Sequence, residues 1–423
     1  MNEDFISFLW SQRLYTSPLY TTHGNSIEVY SPGFLNHDAG PDFFNAKIKI
    51  DSVTWVGNVE IHVNATDWFK HKHHLDEAYN NTILHICFLC DGQAVSKAGL
   101  EIPQVELKTF CIQSSMDIYN TMMQHVKWIP CENMLSRVED IKVFKCFESC
   151  LVERLIQKAQ SVTLLLNNYN HDWMQVFFIC LARAFGFRVN AMPFELLAQS
   201  TSINLILKNA DNLHTLESLL FGQAGMLSEQ HHDPYPVALY QEYQYLKHKY
   251  NLKTVPYSVW KFMRIRPTGF PTIRISQLAA FFHVNHTILP DLINGASYSS
   301  LTEALQISAS QYWNTHHKFD VKAPLNVKNM GKDSVMSIII NAFIPYLFSY
   351  QRNTNAEFQH QVTDLLFSMP PENNKVVRYW NTIGPKITSA AQSQALLQLK
   401  SNYCDQKQCL NCLIGHAILS SRT

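Results

Sequence analysis

Charge is scarce in this sequence. Of its 423 residues only 16% are Asp, Glu, Lys or Arg, and 34 acids balance 34 bases. A zero net charge excludes a strongly basic nucleic-acid-coating protein and leaves only local patches for such contacts. A leader is not expected either: Met1 to Gln12 carries two acids and no base, unlike the charged start and apolar middle of a secretion signal. Export is therefore not expected, and the expected compartment is cytoplasmic. No apolar run reaches the roughly 20 residues that a bilayer demands. The longest, Val335 to Tyr350, is interrupted by Asn341 and Pro345; it reads as a buried helix, and no membrane partner is expected. Internal repeats and low-complexity tracts are absent. The ten cysteines are irregularly spaced, which argues against a disulfide scaffold and for reduced thiols or metal ligands.

Apolar residues, by contrast, are plentiful. Hydrophobic side chains make up 46% and aromatics 12% of the chain, enough to offset chain entropy and to exclude disorder as the main state. The first 110 residues alternate in short Val-, Ile- and Trp-rich runs punctuated by Gly, Asn and Asp. They predict strands at Ser26–Tyr30, Asn45–Ile50, Thr54–Val63, Thr82–Leu89 and Ile102–Leu107, after an opening helix through Phe5, Phe8 and Leu9. From about Glu139 the period becomes 3.6, as in Val143, Phe147, Leu151 and Leu155. The expected fold is α+β: a mixed β-sheet domain with flanking helices over residues 1–135, then a mainly α-helical domain over 136–423 ending in a cysteine cluster. Residues 1–110 hold 13 acids against 7 bases, so an acidic sheet domain precedes a mildly basic helical one.

Chemistry concentrates around two strands. Pro41-Asp42 precedes the strand at Asn45–Ile50, and Glu60-Ile61-His62 lies on the next. Strand side chains alternate, so Glu60 and His62 share a face, and a neighbouring strand can bring Asp42 beside them. Two carboxylates at one end of a strand pair suit Mg²⁺ or Mn²⁺. The same residues also read as a turn cap and two solvent-facing strand positions. A histidine-rich segment follows, from Asp67 through His71, His73 and His74 to Asp76. Imidazoles and carboxylates at this density can line a cleft, and His71 and Asp76 are its candidate catalytic residues. His73 and His85 read as solvated surface and as a hydrogen-bonded core histidine.

The Pro-Asp and Glu-x-His pattern resembles the PD-(D/E)-x-K nuclease superfamily, which carries an acid before or on one strand and an acid-x-lysine on the next. That resemblance implies Asp42 and Glu60 as metal ligands in a metal-dependent nuclease or phosphodiesterase, with His62 in the lysine's place and nucleic acid as the partner.

The tail places Cys404, Cys409 and Cys412 within nine residues. Zinc and iron–sulfur centres both need four ligands; Cys131, beside Pro130, is the first candidate for the fourth and His416 the second. Zinc is preferred, since nothing else in the sequence suggests redox chemistry. Only 11 residues follow Cys412, none of them cysteine, which excludes a plant-type ferredoxin. Some nucleases of the same superfamily carry a cluster held by one distant and three C-terminal cysteines.

In the helical part, Arg264, Arg266 and Arg274 surround a Pro/Gly turn and are candidate anion-binding residues, since guanidinium pairs with phosphate through two parallel donors; they read equally as structural ties. Leu220 to Gly225 has two glycines but lacks the strand, lysine and hydroxyl of a phosphate loop, and reads as close helix packing. Taken together, Pro32–Asn36, Gly40–Phe43, Gly57–His62, Asp67-Trp68, Leu220–Gly225, Arg264–Arg274 and Tyr403–Gly415 resemble the bacterial domain of unknown function 2851 family, which implies no activity. Two alternatives to a nuclease stay open. One is a non-catalytic scaffold for nucleic acid or protein, with a degenerate core and a structural metal. The other is a hydrolase of a small phosphorylated or acyl substrate.

Overall fold

The computed structural model describes residues 2–36, 38–125, 127–286, 297–354 and 361–421. It is α+β, and the chain divides into two compact units. The first comprises Met1–Glu148, Tyr379–Lys386 and Leu397–Thr423; the second, Ser149–Arg378 and Ile387–Leu396. The C-terminal segments depart from expectation, because they return to the sheet unit.

Helix α1 (Glu3–Ser11) opens the sheet unit. Asn2 caps it by accepting the Phe5 N–H, and Phe5, Phe8, Leu9 and Trp10 are buried. The seven-stranded sheet runs β1 (Leu19–Tyr20), β2 (Ser26–Ser31), β4 (Phe43–Ile50), β5 (Val53–Asn64), β6 (Thr82–Leu89), β7 (Gln104–Glu106), with β3 (Phe34–Leu35) also paired to β4. β4 and β5 are antiparallel, and β5, β6 and β7 are mutually parallel. All five expected strands are present; β1 and β3, at two residues each, are too short to leave a periodic signal. Phe43, Ile48, Val59, Ile61, Leu84 and Ile86 are fully or almost fully buried. A one-turn helix, α2 (Asp67–Lys70), and two 3₁₀ turns, His73–Leu75 and Glu77–Tyr79, cross from β5 to β6.

The returning tail is held by specific contacts. The Leu419 carbonyl accepts from the Ser115 hydroxyl on α3 (Gln113–Gln124) at 3.1 Å, the Phe8 and His416 rings meet edge-on at 4.8 Å, and Trp380 packs on Phe147 at 5.5 Å. No periodicity announces such a return, since each tail segment is a helical run like those of the other unit.

The helical unit takes up the rest of α4 (Asp140–Asn168) and continues with α5 (Trp173–Phe185), α6 (Phe187–Gln199), α7 (Ile203–Lys208), α8 (Leu213–Gln223), α9 (Pro234–Tyr250) and α10 (Pro271–Asn285). Phe177, Phe178, Phe185, Phe194, Phe221 and Trp313 fill its core. A Cβ on Gly222 would fall 2.1 Å from the Tyr243 ring; Leu220–Gly225 is thus a close α8–α9 crossing. The apolar stretch at Val335–Tyr350 lies in a continuous helix, Lys332–Asn353, long and apolar enough to cross a membrane by length and composition, and mostly buried. It absorbs Asn341 and Pro345 through a π-helical turn at Ile339–Phe343, whose altered hydrogen-bond ladder tolerates the donor that proline lacks.

Candidate metal centre

The register of the sheet builds the site. Phe43 pairs with Val59, which sets Asp42 opposite Glu60. The Asp42 N–H donates to Glu60 Oε2 at 3.1 Å, and the Ile61 N–H donates to Asp42 Oδ2 at 2.9 Å. Across the parallel pairs, Glu60 is level with His85 and His85 with Gln104. One rung further along β5 stands His62, on the same face as Glu60.

The crossover to β6 supplies the other imidazoles. Thr66 is pinned to Asp91 through its N–H at 2.9 Å and its hydroxyl at 3.0 Å, and Asp67 accepts the Asn64 N–H at 3.1 Å. Lys72 takes a left-handed conformation (φ 63°), which reverses the chain and lets His71 and His73 converge on His62. The ligand nitrogens of these three lie within 4.8 Å of one another. His62 Nε2 is 3.1 Å from His71 Nδ1, and Glu60 Oε1 is 3.3 Å from His73 Nε2 and 3.7 Å from His62 Nε2. Trp68, fully buried with its indole N–H on the Val95 carbonyl, and Tyr79, with its ring 3.9 Å from that of His73, back the cluster. Glu3 reaches it from α1: its carboxylate accepts the Val63 N–H and feels the His71 imidazole. His71 is exposed, whereas Glu60 and His62 are 5% and 1% exposed.

The electrostatics follow from crowding. Burial raises the pKa of Asp42, and the neighbouring Glu3 and Asp4 raise it further, against the Ile61 N–H. Glu60 is raised by burial and then by Asp42. Burial lowers the imidazoles, His73 to about 4 and His85 to about 3, with His62 lowest because three other histidines surround it. The imidazoles are therefore neutral, the form that ligates metal. The carboxylates cling to protons, and among the described residues no lysine or arginine pairs with either. A divalent cation would relieve that repulsion.

A second tier orients the first. His62 Nδ1 is 2.8 Å from His85 Nε2, and His85 Nδ1 is 3.1 Å from the Gln104 amide nitrogen. The buried Gln104 Oε1 has no partner. Rotating the amide lets that oxygen accept from His85 Nδ1–H, so that His85 Nε2 accepts from His62 Nδ1–H and the His62 Nε2 lone pair is freed for a ligand. A donor set that mixes carboxylates with imidazoles fits Mn²⁺ better than Mg²⁺, which seeks oxygen.

The structure thus brings together four sequence-predicted residues, Asp42, Glu60, His62 and His71. Asp76 is not one of the group: its carboxylate caps a 3₁₀ turn by accepting the Ala78 N–H at 2.9 Å. Glu3, His73 and His85 are additions. The first has no motif around it, and the other two are recognisable only once register and turn geometry are known. In the helical unit, Arg264 and Arg266 are exposed. Arg274 is tied down, donating to Gln277 at 2.8 Å and Ser334 at 3.2 Å and lying 4.6 Å from the Phe187 ring centroid. A cavity of about 760 Å³ in that unit includes Lys158, Arg183 and Glu195 in its lining; Arg183 pairs with Glu195, and Lys158 donates to Asn341 at 3.0 Å. Cys131, Cys404, Cys409 and Cys412 form a separate thiol group in the sheet unit.

Fold and site together define an α+β protein whose mixed sheet carries a buried carboxylate–imidazole centre. The chain belongs to the family described as Protein of unknown function (DUF2851), whose model matches residues 3–375. The match ends before the three tail cysteines. No curated protein and no solved structure matches the chain.

Proposed function

We propose that the sheet unit is a divalent-metal-dependent phosphodiesterase of the nuclease type, with Asp42, Glu60, His62 and His73 holding the ion. The observation that carries this reading is the convergence of two mutually repelling, buried carboxylates with neutral imidazoles, drawn from the residue before β4, from β5 and from the crossover, with no lysine or arginine paired to either acid among the described residues. When bound, the ion would act as a Lewis acid on a phosphoryl oxygen and lower the pKa of its water. Asp42 and Glu60 fix the ion's position. His62 fills the place of the nuclease lysine, and its orientation is set by His85 and Gln104. His71, the exposed imidazole, is placed to exchange a proton with substrate or solvent. The preference for phosphodiesters rests on the Pro-Asp pair leading into β4 and the Glu-x-His pattern lying on the adjacent antiparallel strand β5.

The test is hydrolysis of bis(p-nitrophenyl) phosphate and of linear and circular DNA and RNA by the full-length protein with Mn²⁺ or Mg²⁺. Turnover that needs the ion and disappears in Glu60→Gln and Asp42→Asn supports the proposal. Nucleic-acid binding without turnover or metal dependence would favour the scaffold reading, and turnover undiminished in Glu60→Gln would remove the site.

A further inference from the structure

Five of the ten cysteines gather in one part of the sheet unit, and the centre described above uses none of them. Cys404 ends a π-helical turn, Leu399–Cys404. Cys409 opens a 3₁₀ turn, and Cys412 immediately precedes the C-terminal helix Leu413–Leu419. That helix packs on the 3₁₀ segment Glu132–Arg137, directly after Cys131. Cys131, Cys409 and Cys412 are less than a tenth exposed, and with Cys404 they are free thiols.

The local backbone is built to hold the sulfurs. Lys407 adopts φ 53°, and its N–H returns to the Cys404 carbonyl at 3.2 Å, which folds the chain between the first two tail cysteines. At Gly415 a Cβ would fall 2.0 Å from the Cys409 carbonyl oxygen, so only glycine lets the Cys409 turn lie this close to the helix. The Ile414 and Gly415 N–H groups donate to the Cys412 sulfur, and Cys146 from α4 is hydrogen-bonded to it. Lys400 brings a positive charge to Cys404, held by Asp405 and lying 4.9 Å from the Trp128 ring centroid. His416 is already engaged by the Leu410 carbonyl, which leaves Cys131 as the fourth ligand. All six pairs among Cys131, Cys404, Cys409 and Cys412 interact electrostatically, Cys131, Cys404 and Cys409 each being raised first by burial and then by cysteines of the group. Burial pushes Cys409 up to about 12. A soft metal binds the thiolate form and releases the thiol protons to solvent.

We propose that Cys131, Cys404, Cys409 and Cys412 ligate one thiophilic metal centre, a zinc ion or an iron–sulfur cluster, which clamps the C-terminal tail to the Cys131 segment. Four thiolates serve either occupant. Cys146, to which the Cys412 thiol donates, is a hydrogen-bond partner of Cys412 and not a ligand. This assignment is independent of the carboxylate centre.

The test is metal and acid-labile sulfide analysis of the full-length protein, purified anaerobically without chelator and reconstituted with zinc or with ferrous iron and sulfide. Bound zinc whose replacement by Co²⁺ gives intense sulfur-to-cobalt charge-transfer absorption supports a zinc site. Iron and sulfide in equal amounts, with visible absorption that bleaches on reduction, support a cluster. In either case Cys131→Ser and Cys404→Ser should lose the thiolate signal, while Cys146→Ser, whose hydroxyl can still hydrogen-bond to Cys412, keeps it. Absence of any thiolate–metal signal in the reconstituted wild type overturns the proposal, whether or not the variants fold. Loss in Cys146→Ser with retention in Cys131→Ser overturns the ligand assignment.

Discussion

Each unit buries a glutamate, and the two are treated differently. In the helical unit Glu217, 2% exposed, accepts the Ser276 hydroxyl at 2.6 Å and hydrogen bonds from Ser310 and Tyr235. Burial raises its pKa, but the carboxyl has its own set of donors and no second acid beside it. Glu60 in the sheet unit is equally deep, yet its neighbours are another carboxylate and imidazoles poor in protons. A buried acid is therefore not in itself a site. Convergent acids met only by single backbone N–H groups and neutral imidazoles are, because an added cation relieves their repulsion.

The sharpest way to break this contrast is to neutralise each acid in turn. Glu60→Gln should weaken Mn²⁺ binding by about 100-fold or more, beyond the 10–100-fold typical of outer-shell changes. Glu217→Gln, whose carbonyl can still accept from Ser276, should leave it unchanged; calorimetric titration reads both. Next come the supports of His62. His85→Phe or Gln104→Leu removes no ligand, and each should cost roughly 10–100-fold in Mn²⁺ affinity, with circular dichroism confirming the fold. The pH profile is the third test. Asp42 and Glu60 are held protonated above the usual carboxylate range, and protons compete with metal, so affinity should climb as pH rises through neutrality, by up to about tenfold per pH unit for each proton displaced. His62 and His73 are already neutral there and add nothing to the slope. The smallest effect is on stability. A carboxyl that keeps its proton in the folded state loses stability as pH rises above its unfolded pKa. At neutral pH the metal-free Glu60→Gln protein should therefore melt higher than wild type by about 2–4 °C, equivalent to ~1 kcal/mol. Glu217→Gln should give no such gain, and differential scanning calorimetry in chelator distinguishes them.

Legibility in the sequence followed the range of each interaction. The five longer strands and the opening helix are local periodicities, and they lie where alternation and spacing put them. Asp42, Glu60 and His62 could be paired because strand parity and adjacency need no knowledge of distant chain. His85 could not be placed: among the apolar residues Ile83, Leu84 and Ile86 it looks like core, and only the parallel register sets it level with Glu60. His73 depended on the left-handed turn at Lys72, and Glu3 on where α1 docks. Asp76 misled for a local reason, since an aspartate two residues before a turn N–H is also a good cap. The tail's return to the sheet unit rests on tertiary contacts such as Phe8–His416 and Ser115–Leu419, which leave no periodic trace.

Pulsed electron paramagnetic resonance of Mn²⁺ bound to the chelator-stripped, full-length protein bears most directly on the central claim, that carboxylates and imidazoles share one ion. The expected spectrum shows nitrogen couplings from more than one histidine, reduced in His62→Ala and His73→Ala. A spectrum of freely hydrated Mn²⁺, or of bound Mn²⁺ without nitrogen coupling, would contradict it.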